Sequence, residues 1–109
     1  MAEEATRQRH SWRLHPSLVL EQVGAVEHYY EKQAAKGLLL ESVGGWLDCF
    51  VHADPCAMRY RAEPVLRGEQ DGPDWDRRMF YADAGWQYLG TAADLHFFAS
   101  PADSAHATT

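Results

Sequence analysis

An α+β fold of the ferredoxin-like type, with duplicated βαββ units forming a mostly antiparallel sheet and two helices on one face, is predicted by three observations. They are an internal repeat, a period-two strand pattern that recurs in each half, and two amphipathic helices each followed by a glycine. Laying residues 12–50 over 60–98 without a gap matches Arg13 with Arg61, Pro16 with Pro64, Leu18 with Leu66, Glu21 with Glu69 and Gln22 with Gln70. It also matches Gly24 with Gly72, Ala34 with Ala82, Gly37 with Gly85, Leu47 with Leu95 and Phe50 with Phe98, ten identities in 39 pairs. Self-similarity at a fixed offset marks one supersecondary unit used twice. The repeats run over 11–55 and 57–101 of a single domain at 11–100, between polar tails at 1–10 and 101–109 that have too little apolar surface to offset ordering entropy.

Each element has its own signal. Trp12 and Leu14, with their counterparts Tyr60 and Ala62, alternate with Arg13, His15, Arg61 and Glu63, as in a strand with one buried face that a proline then ends. Val23, Val26, Tyr30 and Ala34 recur at helical spacing, and Gly37 stands where a left-handed cap is wanted. In the second unit Pro73 suits a first helical turn, Asp74 and Asp76 suit its positive end, Trp75, Met79 and Ala82 form the stripe, and Gly85 caps. The polar run Arg67–Asp74 connects to that helix. Strands at Leu38–Val43 and Trp46–Ala53 flank Gly44-Gly45, a pair suited to a tight primed turn, whereas Ala92-Ala93 at the equivalent place points to a wider loop.

The segments VEHYYEKQAAKG, LLLESVGG, FVHADPCAMRYRAEP, RMFYADAGWQYLG and LHFFASPADSAHATT together resemble the bacterial family catalogued as domain of unknown function 2812. The resemblance runs from Arg13 to about His106, through an Ala-Lys-Gly helix end, a Tyr-Arg strand closing on Glu-Pro and an Ala-Gly-Trp segment before an aromatic strand. It implies a cytoplasmic sensory or interaction module, since genes of this kind often lie beside PadR-type regulators. Many members continue into transmembrane helices, and none supplies catalytic residues to carry over.

Composition excludes several classes. With 109 residues and 46% hydrophobic content the chain can bury one modest core, and no apolar run approaches a membrane span. Two cysteines, Cys49 and Cys56, with no secretory context point to free thiols in the cytoplasm. A net charge of −6 disfavours nucleic acid. Cys49, His52 and Cys56 have ligand chemistry, but three positions along a strand turn Cys49 and His52 to opposite faces, so no metal and no cofactor is expected.

If Trp12, Leu14, Leu47, Cys49, Val51, Met58, Tyr60, Leu95 and Phe97 point at the helices, the reverse of the sheet is an open face carrying Arg13, His15, Trp46, Asp48, Phe50, His52, Arg59, Arg61, Glu63, His96 and Phe98. Rings mixed with fixed charges suit recognition, so Arg13, Trp46, Asp48, Phe50, Arg61, His96 and Phe98 form the candidate site for a ligand or partner. A homodimer closing two such faces, a protein partner in a regulatory system and a small-ligand pocket are the candidate uses, against a merely solvated face. Trp12, Trp75 and Trp86 are expected between helix and sheet, with Trp46 at the edge of the open face. Asp48 and His96 could pair as a base and its orienter, which makes an enzyme of the dimeric ferredoxin-like barrel type the alternative. No nucleophile elbow or phosphate loop supports it.

Overall fold

A computed structural model describes residues 9–69 and 72–102 of the chain. Its elements run β1 (His10–Leu14), a 3-10 turn (Pro16–Leu18), α1 (Val23–Ala35), β2 (Leu38–Ser42), β3 (Leu47–His52), β4 (Met58–Pro64), α2 (Trp75–Asp83), β5 (Gln87–Ala92) and β6 (Leu95–Pro101). The order is βαββ twice, the duplicated α+β architecture the sequence predicts. β1 and β6 reach into the segments expected as tails; the rest of those tails, and residues 70–71 of the connection before α2, lie outside the described residues.

The strands form two three-stranded antiparallel sheets, β1-β3-β2 and β4-β6-β5, rather than one layer of six. They abut along β2 and β5, where the Val43 N–H donates to the Leu89 carbonyl at 3.0 Å. Gly90 makes that approach possible: its φ is 138°, and a Cβ there would stand 2.8 Å from the Val43 carbonyl oxygen. The repeat is visible down to its irregularities. The register shifts between Leu40 and Ser42 in one unit and between Tyr88 and Gly90 in the other, positions equivalent under the 48-residue offset.

α1 lies against both sheets. The Tyr30 ring centroid is 6.2 Å from Phe50 of the first sheet, and 5.5 Å and 5.8 Å from Tyr60 and Phe97 of the second. Val26, Tyr30 and Ala34 bury the predicted stripe in a core shared with Leu40, Phe50, Tyr60, Ala62, Leu89, Ala92, Phe97 and Ala99. α2 covers the other face of the second sheet, where Tyr81 stacks on Phe98 at 4.3 Å. Asp74 caps it, accepting from the Arg77 N–H at 3.1 Å. Gly37 and Gly85 follow the helices with φ of 93° and 89°, as their capping role requires.

Several expectations are corrected. The first sheet is turned over: His15, Asp48 and Phe50 face α1, while Trp12 and Leu14 face away. Alternation could not choose between the faces, because the central strands β3 and β6 are buried over four and five consecutive residues and carry apolar side chains on both sides, with Asp48, His96 and Ser100 among them. α2 seats Tyr81, leaving Trp75, Met79 and Ala82 outside, and Trp12 is likewise exposed. The turns are exchanged as well. Ala93 and Asp94, with φ of 54° and 63°, make the tight primed turn, whereas four residues, Val43–Trp46, join β2 to β3 with no left-handed glycine.

Candidate functional site

The seven candidate residues do not share one surface. Arg13, Trp46 and Arg61 are exposed, Trp46 as expected. Asp48, Phe50, His96 and Phe98 are at most 1% exposed, because each lies beneath the helix of its own unit. Asp48 and His96 do not meet either; each belongs to a separate buried cluster.

The first cluster ties β1, β3 and α1 together. His15 Nδ1 lies 2.9 Å from Asp48 Oδ1, and since an ionised carboxylate only accepts, the ring nitrogen carries the shared proton. The Tyr30 hydroxyl donates to Asp48 Oδ2 at 2.5 Å. Burial, and then Asp48 itself, pushes the Tyr30 phenol far up, so it remains a donor. Among the described residues His15 Nε2 has no hydrogen-bond partner. A histidine beside a carboxylate has the parts of an acid-base pair, and here both groups are buried, at 1% and 0% exposure. The cluster holds elements in place.

In the second cluster the roles are exchanged. His96 Nε2 is 2.8 Å from Glu69 Oε1, and Thr91 Oγ1 is 2.7 Å from His96 Nδ1. Glu69 also accepts from the Leu66 and Asp74 N–H groups and from Arg77 Nη1. Burial alone would raise its pKa; the bonds from Leu66, His96 and Asp74 and the Arg77 charge instead hold it down at about 2. This cluster pins the segment before α2 to the second sheet.

Three surface features among the described residues bear on function. An open groove of about 490 Å³ follows the free edge of β4, lined by Glu27, Glu31, Arg59, Arg61, Glu63 and Trp86 among others. Arg59 lies 5.0 Å from the Trp86 ring centre, and Glu27 accepts from the Ala62 N–H of the strand edge at 2.8 Å. Second, His10, Glu41 and Cys49 bring metal-ligating atoms within 4.8 Å of one another on three neighbouring strands. Their contacts are already with one another: His10 Nε2 lies 3.2 Å from Glu41 Oε1, and a weak S–H···O bond of 3.5 Å runs from Cys49 to Glu41. Burial and then Glu41 push the Cys49 thiol up, which keeps it protonated. Cys49 and Cys56 are both free thiols, as expected.

The third feature is the outer face of the first sheet. Trp12 pairs across strands with Cys49, and Leu14 with Leu47. Trp12, Leu14 and Leu47 are 63%, 52% and 47% exposed. Their repeat counterparts Tyr60, Ala62 and Leu95 belong to the core or pack against it. Two sheets have four faces, α1 covers two and α2 a third, and among the described residues no helix lies on the fourth. Sequence reasoning missed this face because it assumed a single sheet. The signal was available in the apolar runs of β3 and β6, which require cover on both sides.

Among the described residues no helix is long and apolar enough to cross a membrane. No curated protein and no solved structure matches the chain. The profile of the family described as "Protein of unknown function (DUF2812)" does match, over residues 23–108, and the chain therefore belongs to the DUF2812 family.

Proposed function

We propose that this chain is a non-catalytic protein-interaction module of a bacterial regulatory system, acting in the cytoplasm through the outer face of its first sheet. The observation that carries this reading is the trio Trp12, Leu14 and Leu47, apolar and 47–63% exposed at positions whose counterparts in the second unit belong to the core or pack against it. An exposed apolar patch of this kind costs solubility unless something uses it. The burial of both histidine–carboxylate pairs argues against acid-base catalysis, and the net charge of −6 argues against nucleic acid as the partner. The resemblance to genes lying beside PadR-type regulators supports the regulatory setting.

Photo-crosslinking in the native host tests the reading. A benzophenone amino acid placed at Leu47 is expected to yield a discrete adduct with an identified protein, while the same probe at Lys32, on the exposed side of α1, yields none. Position 47 remaining as silent as position 32 under all growth conditions contradicts it. A second reading, a small charged ligand in the β4 groove, is favoured by the Arg59–Trp86 stack facing Glu27 and Glu31. It would show as a ligand-dependent change in Trp86 fluorescence that Arg59→Ala abolishes.

A further inference from the structure

Resting on the interaction reading above, we infer that the partner is a second copy of this chain, whose α2 seats Trp75, Met79 and Phe80 on the bare face of the first sheet.

The template for this contact lies inside the molecule. α1 presents Tyr30 to Phe50 of its own unit on one side and to Tyr60 and Phe97 of the other unit on the second side. α2 makes only the first kind of contact, Tyr81 on Phe98. Its outer side holds Trp75 at 70%, Phe80 at 68% and Met79 at 40% exposure. Among the described residues the layers therefore run sheet, helix, sheet, helix, with a sheet face that no helix covers at one end and an uncovered helix side at the other. That outer face has the same provenance as the face α1 fills: Trp12, Leu14, Cys49 and Val51 are the 48-residue counterparts of Tyr60, Ala62, Phe97 and Ala99; Cys49 and Val51 are already buried, and Trp12, Leu14 and Leu47 carry its exposed apolar surface. Setting α2 of one copy on the first sheet of the next continues the stack by a contact the fold already makes once. Donor and acceptor surfaces differ, so the contact is head to tail.

Magnitudes set the strength. Each aromatic ring buries about 150–250 Å². Three rings with Leu14, Leu47, Met79 and a polar rim therefore give an interface near the lower end of specific contacts, on the order of 1,000–1,200 Å² in total. Association should be concentration-dependent rather than obligate. Each copy carries a net charge of −6, so copies repel at low ionic strength and added salt should strengthen the contact.

The test mixes two damaged chains. Sedimentation velocity from about 5 to about 500 µM is run on the full chain, on a sheet variant (Trp12→Glu with Leu47→Glu), on a helix variant (Trp75→Glu with Phe80→Glu) and on an equimolar mixture. Self-association of the unmodified chain is expected to weaken at least about tenfold in either variant alone. The mixture should nevertheless form a one-to-one pair, because one chain keeps an intact α2 and the other an intact sheet. A helix variant that still self-associates while the sheet variant does not would mean that bare sheets pair with each other, and would overturn the proposal. So would an unmodified chain that stays monomeric throughout, as when residues outside the described ones cover the face. In that case an adduct with another protein from position 47 keeps the interaction reading, and silence there ends both. Should the Glu substitutions reduce folding by circular dichroism, Trp12→Gln and Phe80→Gln serve in the same design with the same two outcomes.

Discussion

Positions 48 and 96 are equivalent under the repeat, yet one holds an acid and the other an imidazole. Each finds the complementary partner elsewhere, Asp48 in His15 and His96 in Glu69, so both units bury one histidine–carboxylate pair beneath their helices. Buried polar groups are tolerated when paired, and here the pairs add to the backbone bonds, such as His15 N–H to the Trp46 carbonyl, that hold these segments to the sheets. The candidate residues were legible as chemically unusual; their partners were not, since His15 lies 33 residues and Glu69 27 residues away along the chain. Glu69 gives a pH prediction. Its pKa is depressed from 4.5 to about 2, so its contribution to stability is fully present above pH 4.5 and is lost as pH falls toward 2. Urea unfolding of the parent and Glu69→Gln chains across that range should show the parent's advantage shrinking steadily with acid. An advantage that stays constant from pH 6 to pH 2 would contradict the assignment.

At the scale of elements, the sequence signals that held were those with a local cause. Prolines and glycines set the end of β1 and the caps of both helices, and Val26, Tyr30 and Ala34 of the α1 stripe turned inward as read, while Val23 at its start stays exposed. The failures arose where two local solutions compete. α2 carries aromatic residues on both sides, so Trp75 and Met79 looked as good a core stripe as Tyr81. Asp94 accepts the left-handed region well enough to close a two-residue turn, while Gly44 and Gly45 remain outside it. Gly90 is the element-level requirement with the clearest consequence, because it alone combines a positive φ with the approach of β2 to β5. Gly90→Ala is expected to cost about 1–3 kcal/mol by denaturant titration. Gly45→Ala should be near neutral, since nothing lies within 4 Å of its added Cβ. Equal effects of the two would contradict the role given to the β2–β5 junction.

For the whole molecule the governing fact is a shortage of cover among the described residues: two sheets, four faces, and two helices of which one works on both sides. The duplication was fully legible, because it is written in residue identities at a fixed offset, and so was the α+β class. The split into two sheets was not, because it depends on α1 entering between the units, a choice set by packing across the whole chain rather than by any window of it. The bare first-sheet face follows from that split and carries both functional proposals. Hydroxyl-radical footprinting of the full chain at low and high concentration tests it most directly. At low concentration Trp12, Trp75 and Phe80 should be modified rapidly and Phe50, Phe97 and Phe98 protected; at high concentration protection should spread to Trp12, Trp75 and Phe80 together while His28 on α1 is unchanged. Rapid modification of Phe50 or Phe98, or a Trp12 already protected in the dilute chain, would contradict the account.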